Sequence, residues 1–167
     1  MNNKEPIFKT RPAFKVVGIE RYTANGIPDI REAWGEFAQR NSAIKYTVGR
    51  SVYGIEDYSH DFQMNEPGFP KYYYIAGLEV GMLANIPPGM KGKDIPAAHY
   101  AVFTYRGPLD GLHDFFQFIY GEWLPKSNYT IDPNSSLDFE CYNEPVTDMN
   151  NALVEIWVPV VLNSVTN

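Results

Sequence analysis

Cysteine is almost missing from this chain. Cys141 stands alone among 167 residues, which excludes an intramolecular disulfide and any zinc site built on several thiolates. Basic charge is also scarce: 14 Lys and Arg face 20 Asp and Glu, for a net charge of −6. Nucleic-acid binding needs clustered cations against phosphates, so no direct contact with nucleic acid is expected. An acidic balance of this size is compatible with attracting cations, although most acidic proteins use it for solubility. No apolar run approaches a membrane span, and the opening "MNNKEPIFKTRPAF" has no apolar stretch of the kind a secretory signal carries. A cytoplasmic protein without membrane contact is the expectation. His60, His99 and His113 lie far apart and lack HExxH-type spacing, so no metal site is expected. There is no GxSxG elbow and no Gly-rich phosphate loop, and no cofactor is expected.

What the chain has in quantity is aromatic rings. With 12 Tyr, 10 Phe and 3 Trp, they make up 15% of residues. Rings in this number build either a ring-rich core or a recognition surface, since Tyr and Trp join a broad apolar face to a polar tip. The length suits one domain over 1–167, and the apolar fraction of 44% is enough for a core.

Periodicity sets out the elements. Residues 1–13 read as an N-terminal arm or weak first strand, followed by a strand at "FKVVGIERY" (14–22). In "IPDIREAWGEFAQRN", Ile30, Trp34, Phe37 and Ala38 recur at helical spacing, with Pro28 and Asp29 suited to a helix start. Strands follow at 47–57 and 71–81, separated by a loop, "SHDFQMNEPGFP". A long Pro-rich connection, "MLANIPPGMKGKDIPA", leads to a strand at 98–107. "GPLDGLHDFFQFIYGEWLP" (107–125) predicts the second helix, with Pro108 in its first turn and a stripe of Leu112, Phe115, Phe116, Ile119 and Trp123. "SLDFECYN" and "ALVEIWVPVV" read as closing strands. The order is βαββ twice, the second unit beginning near residue 98. Two such units side by side make an α+β domain, an antiparallel sheet with two helices on one face.

Side chains alternate across a strand, so Leu137, Phe139 and Cys141 share one side and Asp138, Glu140 and Tyr142 the other. On the last strand Val154, Ile156 and Val158 oppose Glu155 and Trp157. If the aliphatic and Phe sets meet the helices, both strands carry Glu-x-aromatic on the free face. Cys141 is then a small buried hydrophobe. These are either solvated carboxylates or the base of an aromatic-walled cleft for a flat or amphipathic cation. A buried carboxylate there would need Tyr hydroxyls or a proton. "KYYYIAG" offers Tyr72 and Tyr74 on one side and Tyr73 on the other, and parity alone leaves open which side faces the cleft.

Several segments together resemble the GyrI-like small-molecule-binding domain, found also as the effector-binding half of bacterial AraC- and MerR-type transcription activators. They are "IREAWGEFAQRNSAI", "YYYIAGLEV" with Gly77, "IPPGMKGKDIPAAHYAVFTYRGPLDGL", "IYGEWLPKSNY", "LDFECYNEP" and "VEIWVPV". The resemblance covers nearly the whole chain and implies a pseudo-twofold βαββ repeat with a ligand cleft between its halves. In the multidrug-binding members a Glu on the penultimate strand is the counter-charge for cationic ligands. That role maps onto Glu140 through "FECY", the last-strand acid onto Glu155, and the aromatic two residues on, commonly Tyr, onto Trp157. Tyr142, Tyr72, Tyr74, Trp34 and Trp123 complete the candidate ligand-binding set, with helix packing as the alternative for the two tryptophans. The members that regulate transcription carry a helix-turn-helix, for which there is no room before Phe14, so a free-standing form is expected. The resulting expectation is binding of an amphipathic, cationic aromatic small molecule, for sensing or sequestration. The alternatives are hydrolysis of a reactive small molecule by Glu140 and Glu155 as an acid and base pair, or inhibition of a protein partner such as gyrase. A homodimer is compatible with any of these.

Overall fold

The computed structural model describes residues 4–58 and 71–164, so the expected loop over 59–70, with His60, lies outside the described residues. Strands β1 (Ile7–Arg11) and β2 (Phe14–Tyr22) precede helix α1 (Ile27–Arg40), then β3 (Thr47–Asp57) and β4 (Tyr73–Val80). After β5 (Lys91–Ile95) and β6 (Ala98–Gly107) comes α2 (Leu112–Phe118), which runs on through a wide π-type turn (Ile119–Trp123) and a last α-turn (Leu124–Lys126). Strands β7 (Tyr129–Ile131), β8 (Leu137–Tyr142) and β9 (Ala152–Leu162) complete the chain. No helix among the described residues is long and apolar enough to cross a membrane.

The two halves pair alike. Strands β2, β3 and β4 lie in the order β3-β4-β2, and β6, β8 and β9 in the order β8-β9-β6, within one antiparallel sheet ordered β1-β6-β9-β8-β3-β4-β2-β5. This is the expected α+β pair of βαββ units. Three further strands extend it: β1 from the arm, β5 from the long connection, and the short β7 beside β9. Strand β5 hides in the sequence because "KGKDI" is a charged edge strand, whose Asp94 pairs with Lys15 at the surface and whose Lys93 pairs with the buried Asp57.

Connection lengths then dictate curvature. Strand β1 edges the second unit by pairing with β6, and β5 edges the first by pairing with β2. Yet β1 reaches β2 through Pro12–Ala13, and β5 reaches β6 through Pro96–Ala97. A two-residue link spans about 10 Å at most, so the two ends of the sheet must meet, and the sheet curls until they do.

Curling gives the sheet two cores. Outside, α1 lays Ala33 and Phe37 on Val17, Ile19 and Ala76, while α2 lays Leu112, Phe115 and Ile119 on Phe103, Val154, Ile156 and Val158. Inside the curl, Phe14, Val16, Tyr53, Ile55, Tyr100, Val102, Phe139 and Trp157 form a second core. Here one expectation is overturned: Leu137, Phe139 and Cys141 point into the curl, not toward the helices. Both faces of β8 are buried, so its apolar set marks a core without saying which one.

Arg11 closes the inner core. Its guanidinium lies 3.7 Å from the Phe14 ring centroid and donates to Tyr53 Oη at 3.1 Å and Glu79 Oε1 at 2.9 Å. The rings of Tyr53, Phe139 and Trp157 surround it. Arg11→Ala removes that contact and leaves the Glu79 charge unpaired. A stability loss of about 1–3 kcal/mol is expected, read as a lower urea midpoint; an unchanged midpoint would mean that the β1–β6 ladder alone holds the arm.

Candidate functional site

The site is built on the pairing of β3 with β8, the strand pair where the two halves meet. Its register sets Gly54 opposite Glu140, Ile55 opposite Phe139 and Glu56 opposite Asp138. A twofold between Ile55 and Phe139 relates Glu56 to Glu140 and Tyr58 to Tyr142, so "IEDY" and "FECY" are the same motif in each half. Each tyrosine donates back to the glutamate two residues before it: Tyr58 Oη to Glu56 Oε2 at 2.5 Å, and Tyr142 Oη to Glu140 Oε1 at 2.7 Å.

These side chains point to the helix side. Glu56, Asp138 and Glu140 are 5%, 1% and 5% exposed, three carboxyl groups taken out of water together. Tyr74 donates to Glu140 Oε1 at 3.0 Å, and Trp34 Nε1 of α1 donates to Tyr74 Oη at 2.8 Å. From the other half, Tyr120 in the wide turn of α2 donates to Asp138 Oδ2, which Tyr58 also reaches at 3.1 Å. Tyr72 is buried against Tyr58, ring centroids 5.1 Å apart. The half-buried Trp34 and Tyr142 rings meet edge-on at 5.4 Å over the cluster. The floor depends on Gly54: a Cβ there would lie 2.1 Å from Tyr74 Oη and 2.9 Å from Glu140 Oε1.

Among the described residues none of the three carboxyls has a Lys or Arg partner. Protons take the place of that cation. Burial first, then the neighbouring Asp138 and Glu140 charges, hold Glu56 well above the usual carboxyl range. Glu56 therefore keeps a proton and shares it with Glu140 and Asp138. Burial pushes Asp138 up to about 7 against the hydrogen bonds of Tyr120, Tyr58 and Glu56. Glu140 is raised by burial too, with Glu56, Tyr142 and Tyr74 holding it back. Burial raises Tyr58, Tyr74, Tyr120 and Tyr142 well above the phenol range, so all four stay protonated donors.

Of the residues singled out from sequence, Glu140, Tyr142, Tyr72, Tyr74 and Trp34 come together here. Glu155 and Trp157 do not. The ladder sets Cys141 opposite Glu155 and Phe139 opposite Trp157, which puts that pair on the far face of the sheet from Glu140. There Glu155 Oε1 accepts from Asn143 Nδ2 and Trp157 Nε1, each at 3.2 Å, and Trp157 stacks on Phe139. Glu140 and Glu155 are therefore no acid and base pair; a sheet lies between them. Trp123 packs on Phe103, Phe8 and Tyr129 instead. Glu56, Asp138, Tyr58 and Tyr120 were not among the expected residues, and the repeated Glu-x-Tyr was the available signal for two of them. Among the described residues no group of His, Cys, Asp or Glu converges as metal ligands would.

Residues 4–161 match the model of the GyrI-like small molecule binding domain, and the chain belongs to that family. It is 30% identical over 154 residues to the transcriptional regulator BrlR of Pseudomonas aeruginosa, covering 90% of this chain and 53% of BrlR. The chain thus spans about half the length of that curated relative. Among solved structures it is similar to SAV2435 bound to tetraphenylphosphonium, with a TM-score of 0.65, 18% identity and 94% of each chain covered. The EcmrR C-terminal domain is similar at a TM-score of 0.69 and 13% identity, covering 95% of this chain and 98% of that one.

The three acids make an unusual pH profile. Their folded-state values lie above those of the unfolded chain, so the folded protein holds more protons between the two. Their contribution to stability is greatest below about pH 4 and is lost as pH rises through about 7, the Asp138 value. Without added cation, the urea midpoint is expected to fall from about pH 5 to about pH 8. Glu56→Gln, which replaces the shared proton by an amide N–H, should flatten that fall. A profile that rises over the same range would mean that the acids are charged and paired in the folded state.

Proposed function

We propose that this domain binds an amphipathic organic cation in the cleft between α1 and α2. Trp34, Tyr72, Tyr74 and Tyr142 receive its apolar body, and Glu140, with Glu56 and Asp138, supplies the counter-charge. The observation that carries this reading is three buried carboxyls with no cationic side chain beside them among the described residues. Protons keep such a cluster tolerable; a bound cation neutralises it with more favourable contacts, since ring faces attract positive charge and a low dielectric strengthens each pair. Membership of a small-molecule-binding family supports a ligand site, and the tetraphenylphosphonium bound by SAV2435 supports its cationic character. Likeness to BrlR supports a sensing role in transcription regulation. In that role the net charge of −6 leaves any contact with nucleic acid to other parts of an assembly.

Calorimetric titration with a cationic aromatic compound and its uncharged isostere tests the reading. Glu140→Gln is expected to weaken the cation by about 1–3 kcal/mol, the scale of a hydrogen bond to a charged group, and to leave the isostere unchanged. Equal losses for both compounds would remove Glu140 as the counter-charge.

A further inference from the structure

We propose that the cation selected by this cleft carries N–H donors, an amidinium, guanidinium or primary ammonium on an apolar body, in preference to a fully substituted onium. The inference rests on the cation-binding reading above and deepens it to a ligand class.

Its basis is where Tyr58, Tyr74, Tyr120, Tyr142 and Trp34 direct their donors. Tyr74 and Tyr142 converge on one atom, Glu140 Oε1. Tyr58 and Tyr120 converge on another, Asp138 Oδ2, with Tyr58 also reaching Glu56 Oε2. Trp34 Nε1 is committed to Tyr74 Oη. Four phenol protons therefore fall on three of the six carboxyl oxygens, and the carboxyls share a proton among themselves. Asp138 Oδ1 has no hydrogen-bond partner among the described residues, although Asp138 is 1% exposed. Asp138 stands on the same face of β8 as Glu140, opposite Glu56, inside the cluster. A buried carboxyl oxygen without a donor is costly, and few native structures keep one without reason.

The cluster is thus short of donors as well as of positive charge. A tetraalkylammonium or phosphonium corrects only the charge, because its carbon shell presents no N–H. An amidinium or guanidinium corrects both: its planar fork places two N–H groups side by side, matched to carboxyl oxygens. The Trp34 and Tyr142 rings suit a flat cation equally well. No group of acids converges as metal ligands would among the described residues, which favours an organic cation over an ion.

Three compounds with one biphenyl body separate the possibilities on the unmodified protein: the amidine, the trimethylammonium and the uncharged carboxamide. The expected result is an amidine Kd at least about tenfold below that of the trimethylammonium, the lower end for a hydrogen bond to a charged group. Asp138→Asn should bring that ratio toward one. Equal affinity of the two cations, or a tighter trimethylammonium, overturns the donor inference and leaves the cation reading standing. A carboxamide that binds as tightly as both cations, or no binding by either cation, overturns the cation reading and this inference together. The wild-type ratio decides the matter even if Asp138→Asn does not fold.

Discussion

Three carboxyl groups are held out of water against one another because β3 pairs with β8 in one register. Glu56 falls opposite Asp138 and Glu140 opposite Gly54, and one residue of slippage in β8 would turn Asp138 and Glu140 into the inner core, away from Glu56. The rest of the architecture keeps this pair central. The two-residue links at Pro12–Ala13 and Pro96–Ala97 exchange the edge strands between halves, so neither half closes its sheet without the other. The helices then cover the outer face on either side of the β3–β8 seam and leave the carboxyls between them.

Such a cluster stands at the unfavourable end of protein electrostatics, where desolvation of a charge exceeds what surface pairing returns. The chain offsets it with protons, phenol hydroxyls and a missing side chain at Gly54, which makes room for Tyr74 Oη and Glu140 together. The compensation is incomplete at Asp138 Oδ1. A site left short in this way stores a differential interaction: whatever supplies charge and donors stabilises the folded state by its own binding energy. In a regulator, that difference is what a ligand would use to shift one conformation against another. Trp34 ties α1 to this cluster, since it meets the Tyr142 ring edge-on and donates to Tyr74.

Much of this is legible in the sequence. Two βαββ units, Glu140 as the acid in a strand, and Tyr142, Tyr74, Tyr72 and Trp34 around it follow from alternation and family likeness. What alternation could not supply was the face. In a sheet buried on one side, Phe139 and Cys141 would mark the helix side; in a sheet curled around a second core they mark the inside. The same ambiguity sent Glu155 and Trp157 to the wrong partner. Tyr120 was hidden by a change of period. The wide turn at Ile119–Trp123 adds a residue to the helix, which rotates Tyr120 toward Asp138 and turns Trp123 away to Phe8 and Tyr129. Two local repeats did carry the symmetry, "RPAF" with "IPAA" at the links and "IEDY" with "FECY" at the seam. Both are too short to detect by identity and plain once the strands are superposed.

The two faces of the sheet treat the same chemistry in opposite ways. Inside the curl, rings of Phe14, Tyr53, Phe139 and Trp157 and the carboxylate of Glu79 surround a guanidinium, and the chain supplies that cation itself as Arg11. Its N–H groups meet a phenol and a carboxylate, so charge, ring faces and hydrogen bonds are satisfied together. On the helix side, Trp34, Tyr72, Tyr74, Tyr142 and three acids are gathered with no Lys or Arg among the described residues to complete them. The chain resolves this pairing internally on one face and leaves it to protons on the other. If the proposed cation enters on the helix side, the Arg11 cage is the pattern within this chain for how ring faces, a carboxylate and hydrogen bonds are met by one planar group.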